Sequence, residues 1–319
     1  MADIAAIAIG RNEGARLIHC LASLKGRVDP IIYVDSGSTD GSVEAAVAAG
    51  AHVVELDMTQ PFTAARARNA GLARLTEIDP DGAFVQFLDG DCELQPDWLV
   101  VARAALEADS DLAVVCGRRR EHFPEATIYN KMIDAEWDTP IGEAIACGGD
   151  ALMRRVALAE VGGYRDTLIA GEEPEMCFRM RARGWRIMRL DAEMTLHDAA
   201  LTRFGQWWKR TSRAGHAFAE SAALHGNSPE RFRVRPTLRI LAWGVILPVF
   251  TLISLFFSPW LTLLLLLLWP LQVTRLSLRG MSLPEAFFMT LGRLPEAQGA
   301  LTYFWTRLRG KERTLIEYK

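Results

Sequence analysis

Two aspartates separated by one glycine, Asp89-Gly90-Asp91, are the residues of this sequence best suited to binding a divalent cation. They follow the apolar, β-prone run 84–88 and so mark the end of a predicted buried strand. Gly90 lets the backbone turn, so both carboxylates can face one point. Oxygen ligands suit Mg²⁺ or Mn²⁺, which bridge carboxylates to the phosphates of a substrate. The alternative interpretation is an Asp-Gly turn with solvated side chains.

The elements that must position these aspartates alternate between strand and helix. Apolar runs predict strands at 4–9, 31–34, 53–56, 84–88, 113–116 and 185–190. Helical periods predict helices at 15–24, 43–49, 62–75, 96–108, 156–161 and 176–183. This alternation predicts an α/β fold with a mostly parallel sheet and helices on both faces, in which ligands bind at the carboxyl ends of the strands. The first turn lacks G-x-G-x-x-G, so the dinucleotide-binding fingerprint is absent.

Charged residues divide the chain into an acidic part and a basic part. Residues 1–202 hold 20 Lys/Arg and 33 Asp/Glu, residues 203–239 hold 8 and 2, and residues 240–273 hold none. A basic segment beside an apolar run favours anionic lipid over nucleic acid as a partner. The five cysteines are scattered without a C-x-x-C pair, which is typical of reduced thiols in the cytosol. The N-terminus lacks a basic segment and a cleavage site, and we interpret it as a strand rather than a signal peptide.

The uncharged run 240–273 predicts a membrane anchor. As one helix it would be about 51 Å long, which exceeds a hydrocarbon core of about 30 Å. Ser258-Pro259 would break it, so we expect two helices, 240–257 and 260–273, that either span the membrane or form a re-entrant hairpin. Arginines on both sides predict that both ends are cytoplasmic. Residues 283–308 predict an interfacial amphipathic helix, and a soluble pair of core helices is the alternative to this whole arrangement.

Seven segments together resemble the family 2 glycosyltransferases with the GT-A fold, across residues 1–220. In chain order they read AIAIGRNEG, YVDSGSTDGS, ARARNAGL, FLDGDCELQPDWL, CGGDALMRR, VGGYRD and GEEPEMCFRMRARGWRI. The chain departs from the family at Ser36, where a second acid is usual, and at Glu172-Glu173, where the motif usually reads Glu-Asp. The Q-x-x-R-W motif of the processive polysaccharide synthases is also absent, which argues against processive synthesis.

The resemblance implies roles for the residues around the donor nucleotide. It implies that Asp35 accepts hydrogen bonds from the nucleobase or ribose, although a helix-capping turn would equally place an aspartate there. It implies that Asp89 holds the ribose or a metal-bound water, which makes it part of the metal site, and that Asp91 contacts the metal directly. Either Arg66 or Arg68 would reach the diphosphate. His197 is a candidate third metal ligand, with a structural histidine as the alternative.

The resemblance also implies a sugar-binding loop and a general base. Gly148, Gly149 and Asp150 would form a tight loop beneath the donor sugar, with Asp150 bonding sugar hydroxyls. Glu173 is the candidate base that takes the proton of the acceptor hydroxyl, and Glu172 lies beside it. The alternative is a solvated acidic helix start that the helix dipole stabilises.

These observations lead to one functional hypothesis and its rivals. We predict a catalytic domain at 1–220, a basic juxtamembrane linker at 221–239, a transmembrane hairpin at 240–273 and an amphipathic tail at 274–319. The predicted activity is inverting, Mg²⁺- or Mn²⁺-dependent transfer from a nucleotide-diphosphate sugar to a lipid-linked saccharide, as in exopolysaccharide synthesis, at the cytoplasmic face of the inner membrane. A close variant would glycosylate polyprenyl phosphate. Nucleotidyl transfer and a non-catalytic membrane scaffold are the alternatives from other classes.

Overall fold

The computed structural model describes residues 4–310, which divide into two units. The first unit comprises residues 4–125 and 133–200, and the second comprises 126–132 and 201–310. The first is a sheet with flanking helices, and the second is helical. Helix 204–225, in the second unit, continues past residue 220, where we placed the end of the catalytic domain.

The first unit is built on a sheet of nine strands among the described residues. In chain order they are β1 (Ile4–Gly10), β2 (Ile31–Asp35), β3 (His52–Glu55), β4 (Phe84–Asp89), β5 (Cys92–Leu94), β6 (Leu112–Glu121), β7 (Gly142–Glu143), β8 (Ala151–Arg154) and β9 (Arg186–His197). They lie side by side in the order β3-β2-β1-β4-β8-β6-β9-β5, with β7 paired to β9.

Strand β1 lies at the centre of the parallel half of this sheet, between β2 and β4. It is apolar along its length because helices cover both faces of a parallel sheet. The register sets Gly10 beside Asp35 and Ile9 beside Asp89. The carboxyl ends of three strands therefore meet at one edge of the sheet, as the alternation of elements predicts.

The other half of the sheet is mixed, so the prediction of a mostly parallel sheet is correct for β3-β2-β1-β4 and for the pair β6–β9 but not for the remaining pairs. Strand β8 runs antiparallel to both β4 and β6. It starts at the edge where β4 ends, and a strand that starts there must run back against its neighbour. Strand β6 then pairs in parallel with β9, with three irregularities in register.

Helices α1 to α7 belong wholly or partly to this first unit. They are α1 (Ala15–Leu24), α2 (Ser42–Ala48), α3 (Ala64–Ile78), α4 (Trp98–Ala108), α5 (Ile128–Trp137), α6 (Arg155–Val161) and α7 (Glu172–Arg181). Helix α3 begins after Thr63, whose side chain accepts a hydrogen bond from the Arg66 N–H. Helix α7 begins at Glu172 rather than at 176. Pro174 is tolerated in its first turn, because the N–H groups of a first turn make no hydrogen bond within the helix and proline lacks only that group.

The second unit contains α8 (Phe204–His225), α9 (Val234–Leu241), α10 (Leu247–Ser254), α11 (Pro259–Ser277), α12 (Leu283–Leu291) and α13 (Arg293–Leu308). Helices α9 and α10 are joined by a π-helical turn at Ala242–Ile246. Pro248, just after that turn, has no N–H for the carbonyl four residues earlier, which accounts for the irregular helix.

Two helical segments are long and apolar enough to cross a membrane, namely Val234–Ser254 and Pro259–Ser277, of 21 and 19 residues. The predicted break at Ser258-Pro259 is confirmed, because Ser258 caps α11 and its side chain accepts the Leu261 N–H at 3.3 Å. Helix α11 extends to Ser277 rather than 273, and at about 29 Å it is nearly as long as a hydrocarbon core is thick.

The predicted single helix over 283–308 is wrong, since the structure has two helices, α12 and α13, on either side of Gly292. Pro295 lacks the N–H that would bond the Leu291 carbonyl in a continuous helix, and this ends α12. Helix α13 packs on α8 so closely that a Cβ on Gly299 would lie 1.8 Å from the Ser212 carbonyl oxygen. One face of α13 is therefore buried against protein.

Candidate active site

The Asp89-Gly90-Asp91 turn is held against the end of strand β1. The Gly90 N–H donates to the Ile9 carbonyl at 2.8 Å. A Cβ on Gly90 would lie 3.2 Å from that carbonyl oxygen and 3.3 Å from Glu13 Cγ. A side chain at Gly90 would crowd the end of β1, and the turn holds both aspartates at the carboxyl edge of the sheet.

Asp89 forms ion pairs with two arginines. Its Oδ1 lies 2.8 Å from Arg68 Nη2, and its Oδ2 lies 3.2 Å from Arg119 Nη2. Burial alone would raise the pKa of Asp89, but the charges of Arg68 and Arg119 outweigh it, and the pKa is lowered. Asp89 is thus an ionised carboxylate held between two cations.

Arg68 is the buried centre of this charge cluster. It lies on α3, and its Nη1 donates to Glu172 Oε1 at 2.7 Å while its Nη2 pairs with Asp89. Burial alone would lower the pKa of Arg68, whereas the two carboxylates raise it above its ordinary value. Its side chain is only 3% exposed, so the guanidinium is fixed in one position.

Asp91 lies beside His197 because strand β5 pairs antiparallel with β9 and sets Cys92 opposite His197. His197 Nε2 lies 3.3 Å from Asp91 Oδ1, and both side chains are buried. Two adjacent ligands of an octahedral ion at 2.0–2.1 Å are about 2.9 Å apart. The oxygen and nitrogen donors and their spacing are therefore compatible with a divalent cation. Glu121 Oε2 lies 3.7 Å from His197 Nδ1, which is longer than a hydrogen bond.

Asp150 lies beneath Asp89, where it supports the turn. It is fully buried, accepts the Asp89 N–H at 3.1 Å and accepts the Thr195 hydroxyl at 2.8 Å. The prediction that Asp150 bonds sugar hydroxyls does not agree with this placement, because both oxygens face protein. Gly149 is closer to the chemistry, since a Cβ there would lie 2.9 Å from Arg68 Nη2 and 3.1 Å from Asp89 Oδ2.

Gly148, the residue before it, has a φ of 86°, which favours glycine. The two glycines lie in the loop that the resemblance places beneath the donor sugar, a role that stays a prediction. The loop brings its backbone against the pair Arg68–Asp89.

Asp35 and Arg66 have local partners. Asp35 is buried; it accepts the Tyr33 hydroxyl at 3.0 Å and the N–H groups of Gly37 and Ser38 at 2.9 and 2.8 Å. It closes its own loop and does not cap a helix, since α2 begins after Gly41. Arg66 donates to the carbonyl groups of Asp57, Gln60 and Pro61. Of the two predicted arginines, only Arg68 contacts the aspartates.

The two glutamates at the start of α7 have different partners. Glu172 pairs with Arg68, whereas Glu173 Oε1 accepts the Cys147 N–H at 2.6 Å and lies 3.0 and 2.9 Å from the thiols of Cys147 and Cys177. Across residues 4–310, Glu173 Oε2 accepts no hydrogen bond. Glu173 is thus anchored through one oxygen and keeps the other available.

Arg119 and Trp137 were missed by the sequence reasoning. Arg119 pairs with Asp89, and its guanidinium stacks over Trp137 with 4.6 Å to the ring centroid. Trp137 in turn packs its ring against His197 at 4.7 Å, nearly perpendicular to it. The run Arg118-Arg119-Arg120 after an apolar strand was the available signal, but the sequence did not indicate which arginine faces the site.

Comparison with known proteins identifies the family of this domain. Residues 7–162 match the family model described as Glycosyl transferase family 2. A pre-mycofactocin glycosyltransferase of Mycobacterium tuberculosis is 27% identical over 242 residues, which are 70% of this chain and 48% of that protein. A TPR repeat-containing protein of Synechococcus elongatus is 35% identical over 113 residues, which are 35% of this chain and 26% of that protein. The chain thus spans about half or less of the length of these curated relatives.

A solved structure is similar over nearly the whole chain. The mannosyltransferase PcManGT of Pyrobaculum calidifontis, in complex with GDP-Man and Mn²⁺, superposes with a TM-score of 0.65 at 18% identity. The match covers 96% of this chain and 88% of that one. The predicted α/β fold of the GT-A type is confirmed, and residues 7–162 match the glycosyltransferase family that the sequence resembles.

Proposed function

We propose that this protein transfers a sugar from a nucleoside-diphosphate donor to an acceptor hydroxyl, with inversion at the anomeric carbon and dependence on Mg²⁺ or Mn²⁺. The observation that carries the proposal is the convergence of Asp89, Asp91, Arg68, Arg119 and His197 at the carboxyl edge of the sheet. Such an edge is where ligands of open α/β sheets bind. The Pyrobaculum mannosyltransferase of the same fold, solved with GDP-Man and Mn²⁺, supports this choice of donor and metal.

The charges of the site match the needs of a diphosphate leaving group. Asp91 and His197 would hold the metal, and a bound divalent cation would neutralise the negative charge that develops on the diphosphate. Arg68 and Arg119 supply two further positive charges, which Asp89 holds in place. Because these groups are fixed before the donor arrives, they need little reorganisation during the reaction.

Glu173 is the proposed general base. The Cys147 N–H holds its Oε1, and its Oε2 is left to accept the proton of the acceptor hydroxyl. Glu172 is less suited to this task because its carboxylate is in an ion pair with Arg68. We therefore assign Glu172 to positioning Arg68, and proton transfer to Glu173.

The acceptor is proposed from the composition of the chain. The two segments long and apolar enough to span a membrane occur on the same chain as the glycosyltransferase domain. An acceptor that is itself anchored in the membrane, such as a lipid-linked saccharide of glycan or exopolysaccharide synthesis, accounts for that combination. We propose that the protein is held in the inner membrane with its catalytic domain in the cytoplasm, where nucleotide sugars are available.

The test is a donor screen with the full chain in lipid nanodiscs. Purified protein is incubated with a panel of nucleotide sugars, Mn²⁺ and a lipid extract, and nucleoside diphosphate release is recorded with and without the lipid. We expect one donor to be consumed, faster with lipid, and the product to have the opposite anomeric configuration by NMR. Asp91→Ala is the matched inactive control. Retention of the donor's configuration would contradict the single-displacement mechanism, and turnover in excess chelator would contradict the metal requirement.

A further inference from the structure

Two thiols that the proposed reaction does not use lie against the carboxylate of the proposed base, Glu173. The Sγ atoms of Cys147 and Cys177 are 3.8 Å apart, and they lie 3.0 and 2.9 Å from Glu173 Oε1. Cys177 and Glu173 are four residues apart on α7 and so share one face of the helix. Cys147 comes from the loop before β8. Both thiols thus point at a single carboxylate oxygen from two different elements.

The spacing of the sulfur atoms fits a tetrahedral metal better than a disulfide. In a tetrahedral zinc site with Zn–S bonds of about 2.3 Å, the two sulfurs are about 3.8 Å apart, which is the separation found here. A disulfide would require the sulfurs to approach to about 2.05 Å. Cys177 and Glu173 are buried while Cys147 is partly exposed, so the cluster has an approach from solvent on one side.

We propose that Cys147, Cys177 and Glu173 form a binding site for one Zn²⁺ or similar thiophilic cation, separate from the site of Asp91 and His197. The cation replaces the two thiol protons, so two Zn–S bonds form, a Glu173 oxygen supplies the third ligand, and two protons pass to the buffer. A water molecule takes the fourth position. Thiolates select soft cations, whereas a carboxylate such as that of Asp91 suits Mg²⁺ or Mn²⁺.

Occupation of this site stops transfer, and that consequence rests on the proposed role of Glu173. A carboxylate whose Oε1 is bound to zinc is a weaker base at Oε2, because the cation withdraws negative charge from the whole group and so lowers its affinity for the acceptor's proton. The metal also ties α7 to the loop that carries Gly148 and Gly149. Zinc is therefore an inhibitor that acts at the base, while the donor and its own metal remain able to bind.

Binding is tested separately from inhibition. Full-length protein in detergent, freed of metals by chelation, is titrated with Zn²⁺ and with Co²⁺ in the presence of excess Mg²⁺. We expect one Zn²⁺ per chain, loss of two titratable thiols, and a thiolate-to-cobalt charge-transfer band with Co²⁺. Loss of a residue that only hydrogen-bonds to a metal ligand weakens metal binding by roughly 10–100-fold. Cys147→Ser and Cys177→Ser remove ligands themselves, so each should weaken Zn²⁺ binding by more than that factor. Cys20→Ser, which removes a buried thiol on α1, should leave binding unchanged.

Three results would overturn the site. The first is the absence of a thiolate-to-cobalt band with Co²⁺, and the second is an equal Zn²⁺ affinity in Cys147→Ser and wild type. The third is the loss of two titratable thiols without bound metal, together with a decrease in protein mass by two hydrogens, because that result indicates a disulfide. If Zn²⁺ binds as expected but transfer continues at full rate, the site stands and Glu173 is not the base. If transfer is never observed with any donor, the binding measurements still decide the zinc site.

Discussion

Arg68 and Glu172 are 104 residues apart in the chain and are joined by an ion pair of 2.7 Å. The pair links α3 to the first residue of α7, and the same guanidinium holds Asp89 at the end of β4. One buried arginine thus connects the acidic turn of the sheet with the helix that carries the proposed base. The relation explains why the motifs ARARNAGL and GEEPEM, far apart in sequence, act on one site.

Replacing Arg68 with Met should abolish transfer and destabilise the first unit. Removal of one partner from a buried ion pair costs roughly 3–5 kcal/mol, because a carboxylate is left without its counter-charge. For a unit of this size we expect a Tm lower by about 6–20 °C, measured by thermal unfolding in detergent. Arg66→Met on the same helix is the matched control, with a small loss in Tm, since Arg66 bonds only loop carbonyls. Equal losses in the two variants would mean that the ion pairs of Arg68 contribute little.

The same variant should show a characteristic pH dependence. The pKa of Asp89 is lowered in the folded protein, where the arginines outweigh the effect of burial. A lowered carboxyl pKa contributes stability that is present above the unfolded value of about 3.9 and is lost as the pH falls through the folded value. The difference in Tm between wild type and Arg68→Met should therefore be largest at neutral pH. It should become smaller as the pH falls below about 4. A difference that grows in acid would contradict this assignment.

We expect the two proposed protein ligands of the metal to contribute unequally to Mn²⁺ affinity. Asp91→Ala should abolish Mn²⁺ binding and transfer, because it removes the charged ligand. His197→Ala should leave a weaker site, with Mn²⁺ affinity lower by about 10–100-fold and activity partly recovered at high Mn²⁺. Affinities are read from the free-Mn²⁺ signal in electron paramagnetic resonance. The control is His122→Ala, because His122 is exposed and directly follows β6. This variant should bind Mn²⁺ with the affinity of the wild type. A normal affinity in His197→Ala would make that histidine structural.

The sequence predicted the edge of the sheet well because local patterns determine it. Apolar runs that end in Gly10, Asp35 and Asp89 are visible without any long-range information, and parallel pairing then aligns their ends. The direction of a side chain is different, since it depends on neighbours from elsewhere in the chain. Asp150 looked like a sugar ligand from its loop, yet the Asp89 N–H and the Thr195 hydroxyl occupy its oxygens.

Arg119 shows the same limit for a strand. Irregularities in the pairing of β6 with β9 fall between Cys116 and Arg118 and between Arg118 and Arg119. They make the three consecutive arginines face different partners, so that Arg119 reaches Asp89 while Arg118 and Arg120 pair with Asp134 and Glu193. A strict alternation of side chains between the two faces of the strand does not by itself identify Arg119 as the arginine that reaches Asp89. The register of a bulged strand is not readable from one sequence.

The two apolar helical segments should hold the protein in the membrane with both of their ends on the cytoplasmic side. Arginines lie toward the outer end of each segment, with Arg239 in the first two turns of Val234–Ser254 and Arg275 in the last turn of α11. Single cysteines placed near residues 228 and 280 of a cysteine-free chain should both react with a membrane-impermeant maleimide only after spheroplasts are opened. A cysteine near residue 257, between the two segments, distinguishes the geometries. Labelling of this position from outside indicates two full spans, whereas protection from both sides indicates a re-entrant hairpin.

The glutamates of α7 give the sharpest test of the mechanism. Glu173→Gln keeps the shape of the side chain and its bond from the Cys147 N–H, but it cannot accept a proton. General-base assistance contributes roughly 10²–10⁴ in rate, so kcat should fall by about that factor with nearly unchanged donor affinity. Glu173→Asp shortens the side chain by one methylene and restores the residue usual in the family, so partial activity should remain.

Glu172→Gln is the matched comparison, because it removes a charge one residue away and acts through Arg68. It should weaken donor binding and lower the Tm, since the buried guanidinium loses one of its two carboxylates. The two variants should therefore separate, with Glu173→Gln affecting kcat and Glu172→Gln affecting the KM for the donor. If Glu172→Gln instead gives the larger loss in kcat at saturating donor, the base is Glu172. If neither variant changes kcat, proton transfer occurs elsewhere, and the free oxygen of Glu173 has no role in the reaction.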